Sequence, residues 1–478
     1  MTNNQDEPPA FGEPPQAMTV VEQLQQGCRE IKMPARLNLA GGETLECAET
    51  LRVLPGKRAV MKARWRERPV LVKLMLDTPS GRRNVRRELS GYRALKAANI
   101  ATPELLLTTR CKEGHHVLGF AFMQQARRLG DRWRSGDGGL ETAAAGLGMI
   151  ALLHRNACRH TDPHFDNFLL AGERIYVVDV ASVERRPNTE YGRWQRNNLA
   201  FFLAQFRPLW RKPLMDSLPE HYPGAAGDPR LEKAVARAWR RRKSKYLKKC
   251  VRECGDFSTR KTRRRFAVWS RARHGADLDS FVRDPDAWIA KGRLLKDGNS
   301  ATVVGAQLDG RPVVIKRNNI KNAGHWLSRC LRPTRGYVNW RNAHLLILSG
   351  IATPEPIAFV EKRRGPFRLG GYYVCAWCGF PSAADKYRSE QPSEQELKRF
   401  EELFAGLRSA KIVHGDLKAS NLLVTDNGIS LIDLDSMKEM PRRSNCQRFA
   451  AKDRRRFLEN WKNKPAQREL FAGIFSEG

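Results

Sequence analysis

The sequence predicts an α+β fold built twice in one chain: two tandem bilobal units, each with a small β-rich N-lobe and a helical C-lobe. Three observations predict it. First, a polar constellation recurs, His160-Thr161-Asp162-Pro163-His164-Phe165-Asp166-Asn167 with Asp179, and His414-Gly415-Asp416-Leu417-Lys418-Ala419-Ser420-Asn421 with Asp433. In both copies Asp follows His by two, Asn follows that Asp by five, and a second Asp follows the Asn by twelve. Second, further landmarks recur in the same order around it. Third, each copy runs from short β-branched segments to longer helical ones.

The elements follow in chain order. Residues 1–33 open polar and Pro-rich, without the basic-then-apolar order of a signal peptide, and are expected to form a disordered tail. Pro69-Val70-Leu71-Val72-Lys73 matches Pro312-Val313-Val314-Ile315-Lys316. Both are apolar, β-branched runs ending in Lys, as buried strands would be. Helical stretches follow over 88–98 and 339–348. Each leads into an identical turn, Ile100-Ala101-Thr102-Pro103-Glu104 and Ile351-Ala352-Thr353-Pro354-Glu355. The offset between copies drifts from 243 at the Lys to 251 at the turn and 254 at the loop, as a duplication with loop insertions leaves it. The expected domains are therefore 34–227 and 284–478. Residues 228–283 are expected to be a basic helical linker or an extension of the first C-lobe. The helical stretches beginning at Asn197 and Asp453 are expected to pack rather than to serve a site.

Composition narrows the partners. The 478 residues are 41% hydrophobic, enough for two or three globular domains. No apolar run reaches the ~18 residues of a membrane span. The ten cysteines are scattered, and the lone Cys375-Ala376-Trp377-Cys378 lies in a strand-like run, so reduced thiols are expected. Lys and Arg number 85 against 51 acidic residues, a net +34 that implies an anionic partner. The densest stretch, 230–273, holds 18 basic and three acidic residues. No zinc-finger spacing, helix-turn-helix signal or RNA-binding aromatic motif accompanies the charge, so no nucleic acid is expected.

The repeated constellation is the pattern of a protein-kinase catalytic loop and metal-binding Asp, which makes both units protein-kinase-like. Phosphoryl transfer needs neutralised phosphates and an oriented hydroxyl. Asp416 and Asp162 are the candidate catalytic residues, placed to hold the acceptor hydroxyl and relieve it of its proton. Lys418, two residues after Asp416, is placed for the γ-phosphate; the first copy has His164 there. Lys316 and Lys73 are the candidate nucleotide-binding lysines. Glu88, fifteen residues after Lys73, suits a Lys–Glu clamp, whereas no acidic residue lies between Lys316 and Pro354. Asn421 and Asp433, and Asn167 and Asp179, are the candidate ligands for Mg2+ bridging the phosphates of ATP.

Departures from the pattern are informative. Gly415 and Thr161 stand where a protein kinase carries the Arg that reads activation-loop phosphate. Leu434-Asp435 and Val180-Ala181 follow the metal Asp in place of Phe-Gly, leaving Asp435 either an extra metal ligand or a surface charge. The glycine-rich loops, 54–60 and 295–303, lack the three-glycine pattern, and there is no P-loop.

The chain resembles the lipopolysaccharide core kinase family, which phosphorylates heptose or Kdo sugars of the inner core. In the second copy the resemblance rests on 295–303, Val313-Val314-Ile315-Lys316, Trp340-Arg341-Asn342-Ala343-His344, Gly350-Ile351-Ala352-Thr353-Pro354 and the His414–Asn421 loop. In the first it rests on 51–58 and 161–168; the His within that loop also resembles aminoglycoside- and choline-type kinases. The resemblance implies ATP and Mg2+, a lipopolysaccharide core sugar as acceptor, and peripheral work at the inner face of the bacterial inner membrane, with 230–273 facing that anionic surface. Competing expectations are a protein kinase of envelope proteins and a partly inactive pseudokinase scaffold.

Overall fold

The computed structural model describes residues 18–298, 301–319, 330–440 and 442–475. It is a mixed α and β structure that divides into two compact units. Unit 1 comprises residues up to Leu203 together with Leu214–Ala234; unit 2 comprises Ala204–Pro213 and the chain from Val235 onward.

Unit 1 is built on a six-stranded antiparallel sheet. Its strands lie in the order Ala35–Asn38, Thr44–Leu54, Arg58–Trp65, Arg68–Met75, His116–Ala121, Leu105–Arg110. Alternation buries Ala59, Met61 and Ala63 against Val70, Val72 and Leu74. The helix Pro79–Ala97 starts at Thr78, whose hydroxyl accepts from the Gly81 N–H. After the sheet in the chain come the helix Gly139–Arg155, the candidate catalytic-loop segment and the helix Arg193–Leu203. Part of the tail expected over 1–33 is folded instead. Val20–Gln25 is a helix with a Thr19–Glu22 capping box, and Val20, Val21 and Leu24 are buried in the sheet core. Residues 1–17 lie outside the described residues.

Unit 2 has a seven-stranded antiparallel sheet, in the order Phe257–Lys261, Arg265–Ser270, Pro356–Arg364, Phe367–Ala376, Arg311–Asn318, Ala301–Leu308, Arg293–Gly298. Five strands repeat the unit 1 order about the lysine strand: Arg311–Asn318 takes the place of Arg68–Met75. The units differ in what covers the edges. Unit 1 adds Ala35–Asn38 beside its first hairpin, and unit 2 adds two strands beside Pro356–Arg364.

Those two strands correct the reading of 228–283 as a helical linker or C-lobe extension. Leu231–Lys249 is helical, but Phe257–Lys261 and Arg265–Ser270 belong to the unit 2 sheet. Val268 pairs with Phe359 and is fully buried, while Leu278, Phe281 and Val282 of the next helix cover the same sheet. The basic residues of this stretch flank a short continuous apolar run, Phe266-Ala267-Val268-Trp269, buried at Ala267, Val268 and Trp269, that needs a partner sheet to be recognised as a strand.

Candidate functional site

Each unit closes its candidate catalytic loop with the same backbone wiring. In unit 2 the His414 Nε2 donates to the Ile432 carbonyl at 2.9 Å, and the Ile432 N–H donates to the Asn421 carbonyl at 3.0 Å. The Asn421 amide nitrogen donates to the Asp416 carbonyl at 2.9 Å. In unit 1 the equivalent bonds run from His160 to Val178, Val178 to Asn167, and Asn167 to Asp162. The Thr of each repeated Ile-Ala-Thr-Pro turn donates its hydroxyl two residues ahead of the metal Asp: Thr353 to Leu431 at 2.8 Å, Thr102 to Val177 at 2.9 Å. That turn therefore ties the N-lobe to the segment carrying the acid. Asp433 and Asp179 both adopt left-handed backbone, at φ 59° and 52°.

The lysine strand of unit 2 brings Lys316 to the acid. Its ammonium lies 2.5 Å from Asp433 Oδ1 and 3.2 Å from Asp435 Oδ2. Burial alone would lower the Lys316 pKa, but Asp435 and Asp433 outweigh it and raise the value. Burial works against ionisation of Asp433 too, yet Lys316 holds its carboxyl below the ordinary range. Asp435 is neither surface charge nor open acid: its side chain is 15% exposed and accepts from the Asn339 amide.

Asp416 faces two cations. Arg456 lies 2.6 Å from its Oδ1 and Lys418 3.4 Å from the same atom. Arg456 comes from the helix Arg443–Glu459, and so does Asp453, whose buried carboxylate accepts from the His414 and Gly415 N–H groups. Gly415 sits at φ +79°, where a Cβ would stand 2.7 Å from the Ser436 carbonyl. Thr161 fits in unit 1 because its N–H and hydroxyl both bond the Ser182 carbonyl.

Unit 1 joins Lys73 to Glu88 with both carboxylate oxygens, at 2.7 and 2.8 Å, with Glu88 fully buried. Asp179 accepts from the Ser182 hydroxyl at 2.9 Å. Among the described residues no Lys or Arg lies within ion-pair distance of the exposed Asp162, and His164 turns to Asp166 at 3.2 Å.

Sequence reading missed several residues of these sites. The helices at Asn197 and Asp453 were expected only to pack. Leu199, Phe202, Phe457 and Trp461 do pack, but Asn198 donates to the His160 carbonyl and Asp453 holds the loop of unit 2. A polar residue on an otherwise apolar helix face was the available signal. Asn339 carried no signal of its own, and Asn342 stood out only within the Trp340–His344 run: it donates to the Leu434 and Met437 carbonyls around the turn that follows Asp433. In unit 1 the residue at the Asn342 position is Gly91, where a Cβ would collide with the Val180 carbonyl at 1.8 Å.

The oxygen donors fit a hard divalent cation. The bond from its amide nitrogen leaves Asn421 Oδ1 for a metal, and Asp433 retains Oδ2. Among the described residues no cluster of three or more His, Cys, Asp or Glu forms a dedicated metal cage. Mg2+ bound by nucleotide phosphates needs only one or two protein ligands, so this sparse set suits it.

Residues 315–468 match the model of the lipopolysaccharide kinase (Kdo/WaaP) family. The match covers about a third of the chain and spans Lys316, Asn339, Asp416, Asn421, Asp433 and Asp435. It supports a phosphotransferase that uses ATP. Among solved structures, the chain is similar to one titled "Structure of vaccinia related kinase 3", at 11% identity and a TM-score of 0.28, over 45% of this chain and 87% of that one. No curated protein matches the sequence.

Proposed function

We propose that the chain is an ATP-dependent kinase that phosphorylates a heptose or Kdo hydroxyl of the lipopolysaccharide inner core, with unit 2 as its catalyst. One observation carries this reading: the family match falls on the segment holding the Lys316, Asp416, Asn421 and Asp433 constellation.

When bound, Mg2+ and ATP supply the phosphoryl group and neutralise its charge. Asn421 and Asp433 hold the cation, and Lys316 meets the nucleotide phosphates. Asp416 takes the proton of the acceptor hydroxyl. Lys418 and Arg456 orient the Asp416 carboxylate and present positive charge beside it, which suits a phosphorylated or carboxylated sugar.

The partner surface belongs to the same proposal. Arg237, Arg241, Lys245 and Lys248 are exposed on one face of the helix Leu231–Lys249, at spacings of four and three. Lys243 and Lys249 beside them pair with Glu439 and Asp256. Such a stripe suits an anionic leaflet, where each basic residue contributes about 1 kcal/mol. Among the described residues no helix is long and apolar enough to cross a membrane.

For unit 1 a second reading has support. Among the described residues its Asp162 lacks the cations that flank Asp416, which favours a scaffold binding lipopolysaccharide over a second catalyst. The test is mass spectrometry of core oligosaccharide from a deletion strain complemented with Asp416→Ala or Asp162→Ala. Loss of a core phosphate with Asp416→Ala is expected, and unchanged phosphate in the deletion strain itself would sink the proposal. Label from radioactive ATP appearing in envelope protein instead of glycolipid would point to a protein kinase.

A further inference from the structure

The two units solve one electrostatic problem with carboxylates from different elements. At the 251-residue offset of the Thr-Pro turn, Glu88 aligns with Asn339; at the 254-residue offset of the loop, Asp435 aligns with Ala181. Unit 1 thus has the acid on its helix and a small residue after the metal Asp. Unit 2 has the reverse.

Contacts follow the exchange. Lys73 pairs with Glu88 from Pro79–Ala97, leaving Asp179 to Ser182. Lys316 pairs with Asp435, whose other oxygen accepts from Asn339 of Arg335–Ser349. The Asn339 side-chain oxygen accepts in turn from the Leu434 N–H at 3.1 Å, and its nitrogen also donates to the Arg335 carbonyl at 3.0 Å. Both oxygens of Asp435 are therefore engaged: Oδ2 by the Lys316 ammonium, with the Arg335 guanidinium 3.9 Å away, and Oδ1 by an amide N–H. A metal ion at Asp435 would have to share an oxygen with one of these donors and sit against the Lys316 and Arg335 charges. Lys316 also touches Asp433, but a cation on Asp433 would compete for that carboxylate. A buried lysine left without an acid is costly, so a second carboxylate is required.

We propose that Asp435, fixed by Asn339, is the positioning residue that holds Lys316 on the nucleotide phosphates of unit 2, replacing the helix glutamate used by unit 1. This rests on the kinase reading above.

The full chain carrying Lys73→Ala, which weakens the unit 1 site, lets nucleotide affinity report unit 2. Calorimetry with Mg2+ and a non-hydrolysable ATP analogue is the measurement. Asp435→Ala and the near-isosteric Asp435→Asn should each weaken affinity about tenfold to a hundredfold, as loss of a charged hydrogen bond does. The half-saturating Mg2+ concentration should not move. The double variant Asn339→Glu/Asp435→Ala, which recreates the unit 1 arrangement, should recover most of the loss. Wild-type affinity in Asp435→Asn overturns the proposal. So does affinity restored by added Mg2+, which would make Asp435 a metal ligand. A folded double variant no better than Asp435→Ala does the same. A wild-type chain that does not bind the Mg2+ nucleotide overturns the kinase reading itself.

Discussion

Asp416 is pulled two ways at the residue scale: the proposed reaction asks it to accept a proton, yet Arg456 and Lys418 stand beside its carboxylate. Positive charge there fixes the geometry of the acid and would suit the anionic acceptor proposed above. Asp416→Asn keeps the shape and removes the base, so phosphate transfer to core oligosaccharide should fall by about 10²–10⁴. Arg456→Ala should act differently. The pair is half exposed, so the melting temperature should barely change. A rise in the KM for the acceptor, with the KM for ATP unchanged, is the expected outcome in steady-state kinetics.

At the element scale, the helix Arg335–Ser349 explains why its Trp340-Arg341-Asn342-Ala343-His344 run belongs together. Trp340 is fully buried and donates to the Cys250 carbonyl at 2.8 Å, with Phe257 and Phe359 against its ring. Asn342, two residues on, faces the metal turn. Packing and site are thus fixed by one helix, and Arg341 on the opposite face is exposed. Trp340→Ala should cost unit 2 about 3–5 kcal/mol, read by denaturant unfolding. The helix Leu231–Lys249 uses its faces similarly: Leu231, Val235, Trp239 and Leu247 are buried beneath the basic stripe. Replacing Arg237, Arg241, Lys245 and Lys248 by Glu should abolish sedimentation with anionic vesicles at low salt and leave neutral vesicles unaffected.

Across the whole molecule, each unit buries one histidine of its helical framework. Burial pushes His154 in unit 1 and His344 in unit 2 down to about 4. His154 bonds Tyr222 and Asn198, and so leads to the catalytic loop; His344 faces Tyr246. Unfolded chains bind these protons near the ordinary histidine value of 6.5, whereas the folded units do not until about pH 4. The unfolded state therefore holds more protons in that window, and stability rises with pH across it. Acidification from neutrality should remove on the order of 3 kcal/mol from each unit by pH 4. Denaturant titrations at several pH values check this, and His344→Gln should flatten the dependence in unit 2 alone.

What the sequence determined by itself is the set of residues with invariant local spacing. The loop from His to Asn, the following Asp and the Thr-Pro turn were legible twice because they depend on short stretches of backbone whose geometry does not change with context. Lys73 and Glu88 were legible as a pair because they are joined through one strand and one helix. Tertiary structure alone decided the rest. Asp435 looked equally like a ligand and a surface charge until folding brought Lys316, 119 residues earlier, to 3.2 Å. Asp453 and Arg456 lie 37 and 40 positions beyond Asp416, on a basic helix whose charge pattern does not single them out from its other polar residues. Strands within 257–270 stayed hidden among their arginines because a short strand, at the edge like Phe257–Lys261 or inside it like Arg265–Ser270, is defined by its hydrogen-bonded neighbours. Periodicity records which face is buried; it does not record which distant acid will neutralise a buried lysine.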